Sequence, residues 1–479
     1  MSVPEEKTVL VLGATGYVGG RLVPRLLQAG YRVRVLVRDP DKIQGREWLD
    51  KIEVYKGDVL ERDSIVPALD GTTAMYYLIH SMSGDGDFER RDREAAENVA
   101  TIAGQTGLHR IIYLGGLGRR DIEQSPHLRS RHEVGRILRS GKTPVTELRA
   151  AVIVGSGSLS FEMIHHLANR LPVMICPRWV YTRTQPIAIR DVLSYLIQTM
   201  ERRETTGLTI DIGGPDILTY RQMMLGVADI LGLRRYLIPV PVLTPRLSSY
   251  WVNLVTPIRA SLARALIDSL RSETICENKL AREHFDIKPL PFRAAAEFAL
   301  QRTREHTAET TWTDATVSSP QAIDSSHLRI DRREIDVEAP EQDVFRVVSS
   351  IGGENGWYYA DWLWRIRGFI DQQLGGVGLR RGRRHPSKTS PGEALDFWRV
   401  QEFVPGSKLV LRAEMIVWGQ AWLELEVVPV SETSCRLLQT ARYYPRGLKG
   451  LLYWYSIYPL HAFVFRGLIR EIASRATDH

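Results

Sequence analysis

Three glycines spaced three apart, Gly13, Gly16 and Gly19, follow the apolar run Thr8 to Leu12 and open a helix-period segment with Val18, Leu22, Leu26 and Leu27 on one side. A pyrophosphate needs bare backbone N–H groups and a helix N-terminus aimed at it, and any Cβ at such a turn would hold it off. Gly13 permits the turn, Gly16 the close approach and Gly19 the helix–strand contact, while Thr15, Tyr17 and Val18 line the same loop. Strand, turn, helix and second strand fall within one unit of about 30 residues, which makes the pattern specific. At the end of the second strand Arg38 is placed to meet a 2′-phosphate, with Asp39 one residue later, so NADP(H) is favoured over NAD(H). Gly57-Asp58-Val59, after the third strand, suits an adenine pocket in which the carboxylate takes the exocyclic amine.

These residues need a parallel sheet to hold them. Short apolar runs alternate with helix-period segments from Thr8 to about Ala188, with candidate strands Thr8 to Leu12, Arg32 to Val37, Glu53 to Tyr55, Thr73 to Ile79, Arg110 to Leu114 and Thr146 to Val152. Several of them are apolar at successive positions, as strands covered on both faces should be, so the fold class is α/β with a doubly wound parallel sheet. From about 155 to 300 longer helices and Pro-rich breaks, such as Leu237 to Pro245, predict a smaller substrate lobe within an N-terminal domain of residues 1–302. Residues 303–326, rich in Thr, Ser and Ala, read as a linker, and a second domain is expected over 327–479. Its order is strand, helix with Val344, Val347, Val348 and Ile351 on one face, several strands and a closing helix with Phe465, Leu468, Ile469 and Ile472.

The chain has 479 residues, 44% hydrophobic and 25% charged, which excludes disordered, fibrous and disulfide-stapled classes. The longest stretch without a charged residue, Gly450 to Phe465, has 16 residues and is interrupted by Pro459, short of the roughly 20 a spanning helix requires. The N-terminus lacks the basic and apolar regions of a secretory signal, so the cytoplasm is expected. Cys176, Cys276 and Cys435 lie too far apart for a zinc or redox motif and are expected to be packed thiols. A net charge of +7 rests on 53 arginines and ten lysines, a bias that by itself does not argue for nucleic acid, and none is expected as a partner.

The three glycines, Asp58-Val59, and the segment Ala95-Ala-Glu-Asn98-Val running into Arg110 to Gly116 resemble the extended and atypical short-chain dehydrogenase/reductases, including the NmrA-like group. Ile212 to Tyr220 followed by Ile238-Pro-Val-Pro241 is similar to their substrate lobe, so the resemblance covers about residues 7–302. It implies a Rossmann fold whose dinucleotide lies across the C-terminal edge of the sheet, where Leu78, Ile79 and His80 would border the ribose and nicotinamide.

The chain departs from that family at the chemistry. Members that transfer hydride carry Tyr-x-x-x-Lys after the fifth strand, whereas the matching stretch here is Ser125-Pro126-His127-Leu-Arg-Ser130-Arg131. Ser125 as N-cap and Pro126 as first helical residue put His127 and Arg131 one turn apart on one face. Gly115-Gly116 replaces the family's serine. His127 can serve as general acid toward a carbonyl, with Arg131 orienting the ribose or stabilising the oxyanion. Arg131 would also depress the histidine pKa, which leaves open a protein that binds its dinucleotide without turnover, as a sensor or scaffold.

The C-terminal order resembles the START-like, helix-grip (SRPBCC) superfamily, an α+β fold in which a curved sheet wraps a long helix around an apolar cavity. Seven of the eleven tryptophans fall there, enough to line a cavity for a small hydrophobic ligand or to fill a core. Arg380-Arg381-Gly-Arg383-Arg384-His385 can be a solvated loop or touch anionic head groups or nucleic acid, and Leu451 to Tyr458 can dock on a membrane surface or face the core. His165 and His166 are adjacent and are expected to face different sides of a helix, with no carboxylate at ligand spacing, so no metal site is expected. The leading expectation is an NADPH-dependent reductase of a bulky hydrophobic carbonyl or enone. Against it stand an NADP-responsive binding protein and a membrane-surface factor of quinone or lipid metabolism. The pattern leaves the oligomeric state open.

Overall fold

The computed structural model describes residues 7–44, 46–80, 87–118, 125–240, 260–270, 272–305, 309–310, 328–374, 376–379, 383 and 389–477. The chain divides into two compact units, Met1–Ala315 and Thr316–His479.

In the first unit, β1 (Thr8–Leu12), α1 (Gly19–Gln28), β2 (Arg32–Val37), β3 (Glu53–Lys56), α2 (Arg62–Leu69), β4 (Ala74–Tyr77), α3 (Phe88–Gln105), β5 (Arg110–Gly116), α4 (Pro126–Ser140), β6 (Val145–Ala150), α5 (Leu159–Arg170), α6 (Ile189–Glu201) and β7 (Thr209–Ile212) build a seven-stranded sheet. Its order is β7-β6-β5-β4-β1-β2-β3 and every pairing is parallel. The order reverses beside β1, and an open sheet of this kind binds its ligand in the crevice outside the carboxyl ends at that reversal. All five residues of β1 are buried, because helices cover both faces of the sheet. Leu22 and Leu26 of α1 pack with Val9 and Val11 on one face, while Leu10 and Leu12 pack with Ala96 and Val99 of α3 on the other. The predicted strand Thr73 to Ile79 is shorter, so Leu78, Ile79 and His80 leave the sheet at its carboxyl edge.

A separate core within the same unit joins Phe161, Ile164 and Leu167 of α5 to Met223 and Val227 of α7 (Tyr220–Ile230) and to Phe292 and Ala296 of a later helix. It falls within the stretch where a smaller lobe is expected, and most of the Leu237 to Pro245 segment lies outside the described residues.

The second unit contains β8 (Arg329–Val337), α8 (Glu341–Ser349), α9 (Asp361–Gln373), β9 (Ala394–Leu395), β10 (Trp398–Val404), β11 (Lys408–Ala413), β12 (Gly419–Pro429), β13 (Cys435–Pro445) and α10 (Gly447–Thr477). The strands form one antiparallel sheet, β8-β13-β12-β11-β10-β9. Leu423, Leu425 and Val427 point into the core and meet Phe465, Leu468 and Ile472 of α10. The helix runs through Pro459, which is exposed. Five of the seven tryptophans are buried, and Trp357, Trp364, Phe397 and Trp398 stack in one cluster with centroids 5.1 to 6.1 Å apart. These rings belong to the buried cluster of the unit. Of the basic cluster, Arg383 is described and is not solvated: it donates to the Ser349 and Ile351 carbonyls at 2.7 Å.

Candidate functional site

The turn between β1 and α1 is made of backbone. Gly13 has φ +90°, a region closed to most side chains, and a Cβ there would stand 2.8 Å from the Leu78 carbonyl oxygen. A Cβ on Gly19 would lie 2.2 Å from the Gly13 oxygen, so helix and turn approach as closely as two backbones can. The Gly16 amide donates to the Gly13 carbonyl at 3.0 Å and the Gly20 amide to that of Gly16 at 3.0 Å. The glycines let the turn pack directly on the Leu78 backbone and on the start of α1, which sets the helix N-terminus at the carboxyl edge of the sheet, where a fold of this kind holds a dinucleotide's diphosphate. Thr15 and Val18 are half-buried in the loop. The Tyr17 ring lies 4.6 Å from the Arg21 guanidinium, and its hydroxyl, unpartnered among the described residues, faces Gly155.

Arg38 is exposed just beyond β2. The neighbouring Asp39 is engaged elsewhere: its carboxylate accepts from the Asp41 amide at 3.2 Å and caps a short 3₁₀ turn over Pro40–Ile43. After β3, the Asp58 carboxylate accepts from the Leu60 amide at 3.1 Å, and Val59 is buried. Asn98 of α3 steadies this loop by donating to the Val59 and Leu60 carbonyls at 3.0 and 3.1 Å.

A second cluster stands at the same carboxyl edge. Ser125 caps α4 by accepting from the Leu128 amide at 3.2 Å, Pro126 is the first helical residue, and His127 follows. The His127 Nε2 lies 3.1 Å from the Nε2 of His80, two residues beyond Leu78, whose backbone touches Gly13. On its other side His80 Nδ1 faces the buried Asp92 carboxylate at 3.9 Å, and Ser130 donates to the same carboxylate oxygen at 3.0 Å. Burial first, and the nearby Arg131 second, push His127 down to about 3. Burial likewise holds His80 well below the usual histidine range, with Arg131 and His127 adding to it. Both imidazoles are therefore neutral at pH 7, and each nitrogen pair carries one proton. Arg131 packs its stem against Gly116, where a Cβ would stand 3.1 Å from the Arg131 Cδ, so Gly116 makes room for the arginine, while a Cβ on Gly115 would meet Glu147 Oε1 at 2.8 Å. The Tyr113 hydroxyl donates to the Arg131 carbonyl at 2.9 Å.

The sequence reading missed Asp92 and the direct contact between His80 and His127. Asp92 sits in the charged run Arg90-Arg-Asp-Arg-Glu, and only its burial on α3 separates it from its exposed neighbours. The reading of His165 and His166 needs a correction. Glu162 stands three and four residues before them on α5, so i+3 and i+4 bring both rings to one carboxylate, and one ligand atom of each residue lies within 4.8 Å of the others. The His166 Nε2 is 3.3 Å from Glu162, whose other oxygen accepts from the Gly157 amide at 3.1 Å.

Residues 13–154 match a family model described as NAD(P)H-binding. The seven-stranded parallel sheet of the N-terminal unit is Rossmann-like, and the matched stretch carries its glycine turn. Residues 325–468 match a second model, described as a protein of unknown function (DUF2867). Among curated proteins the chain is similar to dihydroflavonol 4-reductase of Zea mays, 35% identical over 123 residues, which is 24% of this chain and 33% of the maize protein. It is also similar to ceramide reductase of Caulobacter vibrioides, 28% identical over 249 residues, 50% of this chain and 76% of that protein. The match thus spans about a third of the maize relative's length. Among solved structures, a nucleoside-diphosphate-sugar epimerase from Staphylococcus aureus superposes at TM-score 0.50 with 16% identity, over 60% of this chain and 99% of that one. The Bordetella bronchiseptica enzyme WbmG, solved with NAD and UDP, superposes at 0.50 with 17% identity, over 65% and 99%. These two likenesses concern the fold alone.

Proposed function

We propose that this protein is a cytoplasmic NADPH-dependent reductase of a bulky, hydrophobic carbonyl or enone, in which an imidazole relay replaces the tyrosine–lysine pair. The observation that carries the proposal is the 3.1 Å contact between His127 and His80 beside the glycine cradle, backed by Asp92. The similarity to a dihydroflavonol 4-reductase and to a ceramide reductase supports an apolar substrate.

When bound, the reduced nicotinamide supplies the hydride. His127 presents Nδ1–H to the carbonyl oxygen and gives up that proton as negative charge develops there; a neutral imidazole is a competent electrophile toward an alkoxide. The Nε2–H of His80 replaces the lost proton through His127 Nε2, and a solvent proton enters at His80 Nδ1, beside Asp92. Arg131, one helical turn from His127, favours the anionic oxygen and holds the relay neutral. Arg38 contributes the preference for NADPH, because Asp39 is committed to its cap and a cation remains at the ribose end.

The antiparallel sheet and long helix of the second unit we assign to the helix-grip class, with the role of holding the apolar molecule. Organic extraction of the purified full-length chain should yield a bound apolar compound. A panel of long-chain β-keto amides, flavanone-type ketones and enones, followed by NADPH absorbance, tests the reaction. Turnover lost in His127→Ala supports it, and turnover undiminished in His127→Ala removes His127 from the step. NADPH binding without turnover of any member would favour the sensor reading, which the neutral state of both imidazoles also suits.

A further inference from the structure

The second unit carries an apolar face that its own core does not use. On α9, Trp362, Ile366, Phe369 and Ile370 follow at i, i+4, i+7 and i+8, and all are exposed, Trp362 by 61% and Phe369 by 55%. The opposite side of the same helix buries Trp364, Gly368 and Asp371. On the first half of α10, Leu452, Tyr455 and Phe463 share a face with Pro459 and are equally open, Leu452 by 63%.

These segments are neighbours in the fold. The Tyr359 ring, just before α9, lies 5.4 Å from the Phe463 ring. Arg367 of α9 donates to the Ile416 carbonyl at 2.8 Å, and the Ile416 amide donates to Asp371 at 2.6 Å. Two residues on, the Trp418 ring lies 5.5 Å from that of Tyr453 on α10. An exposed patch of large apolar and aromatic side chains built from three elements exceeds what a solvated surface carries without a use.

The charge around it selects the occupant. From Gly447 to Arg470 the chain has no Asp or Glu, whereas Lys449, Arg466 and Arg470 are exposed and Arg446 precedes them. A second copy docking through this face would bring like charges together at its rim. Anionic lipid head groups would meet cations there, with Trp and Tyr at the depth where their amphipathic rings are favoured. No helix among the described residues is long and apolar enough to cross a membrane, so the fit is to a bilayer surface. We propose that α9, the loop around Trp418 and the first half of α10 dock on the surface of an anionic lipid bilayer. The inference stands apart from the reductase reading.

The test is flotation of the full-length protein with vesicles of phosphatidylcholine alone and of phosphatidylcholine with about a third phosphatidylglycerol. Binding to the anionic vesicles that falls with added salt supports the proposal. The pair Phe369→Glu with Leu452→Glu should lower the bound fraction at least about tenfold with an unchanged melting curve, since both residues are exposed. Arg446→Glu with Lys449→Glu should weaken anionic binding without touching an apolar residue. Absence from anionic vesicles would overturn it, as would binding that both pairs leave intact. A dimer in sedimentation equilibrium that the apolar pair splits would overturn it in favour of a second copy.

Discussion

The glycine turn and the histidine corner occupy the same carboxyl edge of one sheet and are built by opposite means. The turn is made of main chain from one run of seven residues, Gly13 to Gly19, and its selectivity lies in side chains that are missing. The corner is made of side chains brought by three elements: His80 from the end of β4, Asp92 from α3 and His127 from α4. A backbone site tolerates no added atom, whereas a side-chain site tolerates shape changes but no loss of a proton carrier.

That contrast predicts different failures. His127→Ala should lower kcat by about a thousandfold, as removal of a general acid does, while the NADPH dissociation constant stays within about twofold. Steady-state kinetics beside fluorescence titration would separate the two; an equal loss in both would mean that the corner holds the nucleotide. Gly19→Ala should do the reverse. With a Cβ 2.2 Å from the Gly13 oxygen the turn must open, and NADPH binding should weaken by about a hundredfold in calorimetry.

The same contrast governs what could be read from sequence. The strand ends at Leu12 and Val37, the cap at Ser125 and the pitch of α4 are local consequences of apolar runs, a proline and a hydroxyl, and they stand in the structure where the residues put them. Pairing of His80 with His127 joins positions 47 residues apart, and nothing in either neighbourhood announces it. Asp92 is one of several acids on α3, of which Glu94 and Glu97 are exposed, and gains its place through burial alone. The Glu162, His165 and His166 grouping was legible, since i+3 and i+4 spacing is a helix property, but considering the two histidines only against each other hid it. Strand β4 ends at Tyr77, earlier than its apolar run, and the next residue, Leu78, lies against the glycine turn, a neighbour that the run itself does not announce.

A milder effect is expected at the ribose end, where one side chain acts on a backbone site. Arg38→Glu should reduce the preference for NADPH over NADH by more than about tenfold, with NADH affinity little changed, as read in paired titrations. If both cofactors weaken together, Arg38 supports the loop and not the phosphate.

The smallest effect concerns stability and touches the corner alone. His127 titrates near 3 in the folded protein and in the ordinary histidine range when unfolded, so between those values the unfolded chain binds the extra proton. Stability must then rise with pH across that window and level off above about pH 6.5, the sign opposite to that of a histidine paired with an acid. Each such group contributes a slope of up to about 1.4 kcal/mol per pH unit, and His80, depressed in the same direction, adds to it. Denaturant titrations at pH 7 and pH 5 should show the wild type losing stability on acidification, and His127→Asn, which keeps a polar side chain without the titration, losing less. The glycine turn has no group that titrates between pH 5 and pH 7, since burial pushes the Tyr17 phenol above its usual range, so Gly19→Ala should leave the slope unchanged even though it weakens nucleotide binding. An unaltered slope in His127→Asn would mean that the ring titrates freely in the folded state, and a charged imidazole would then be the acid at the corner.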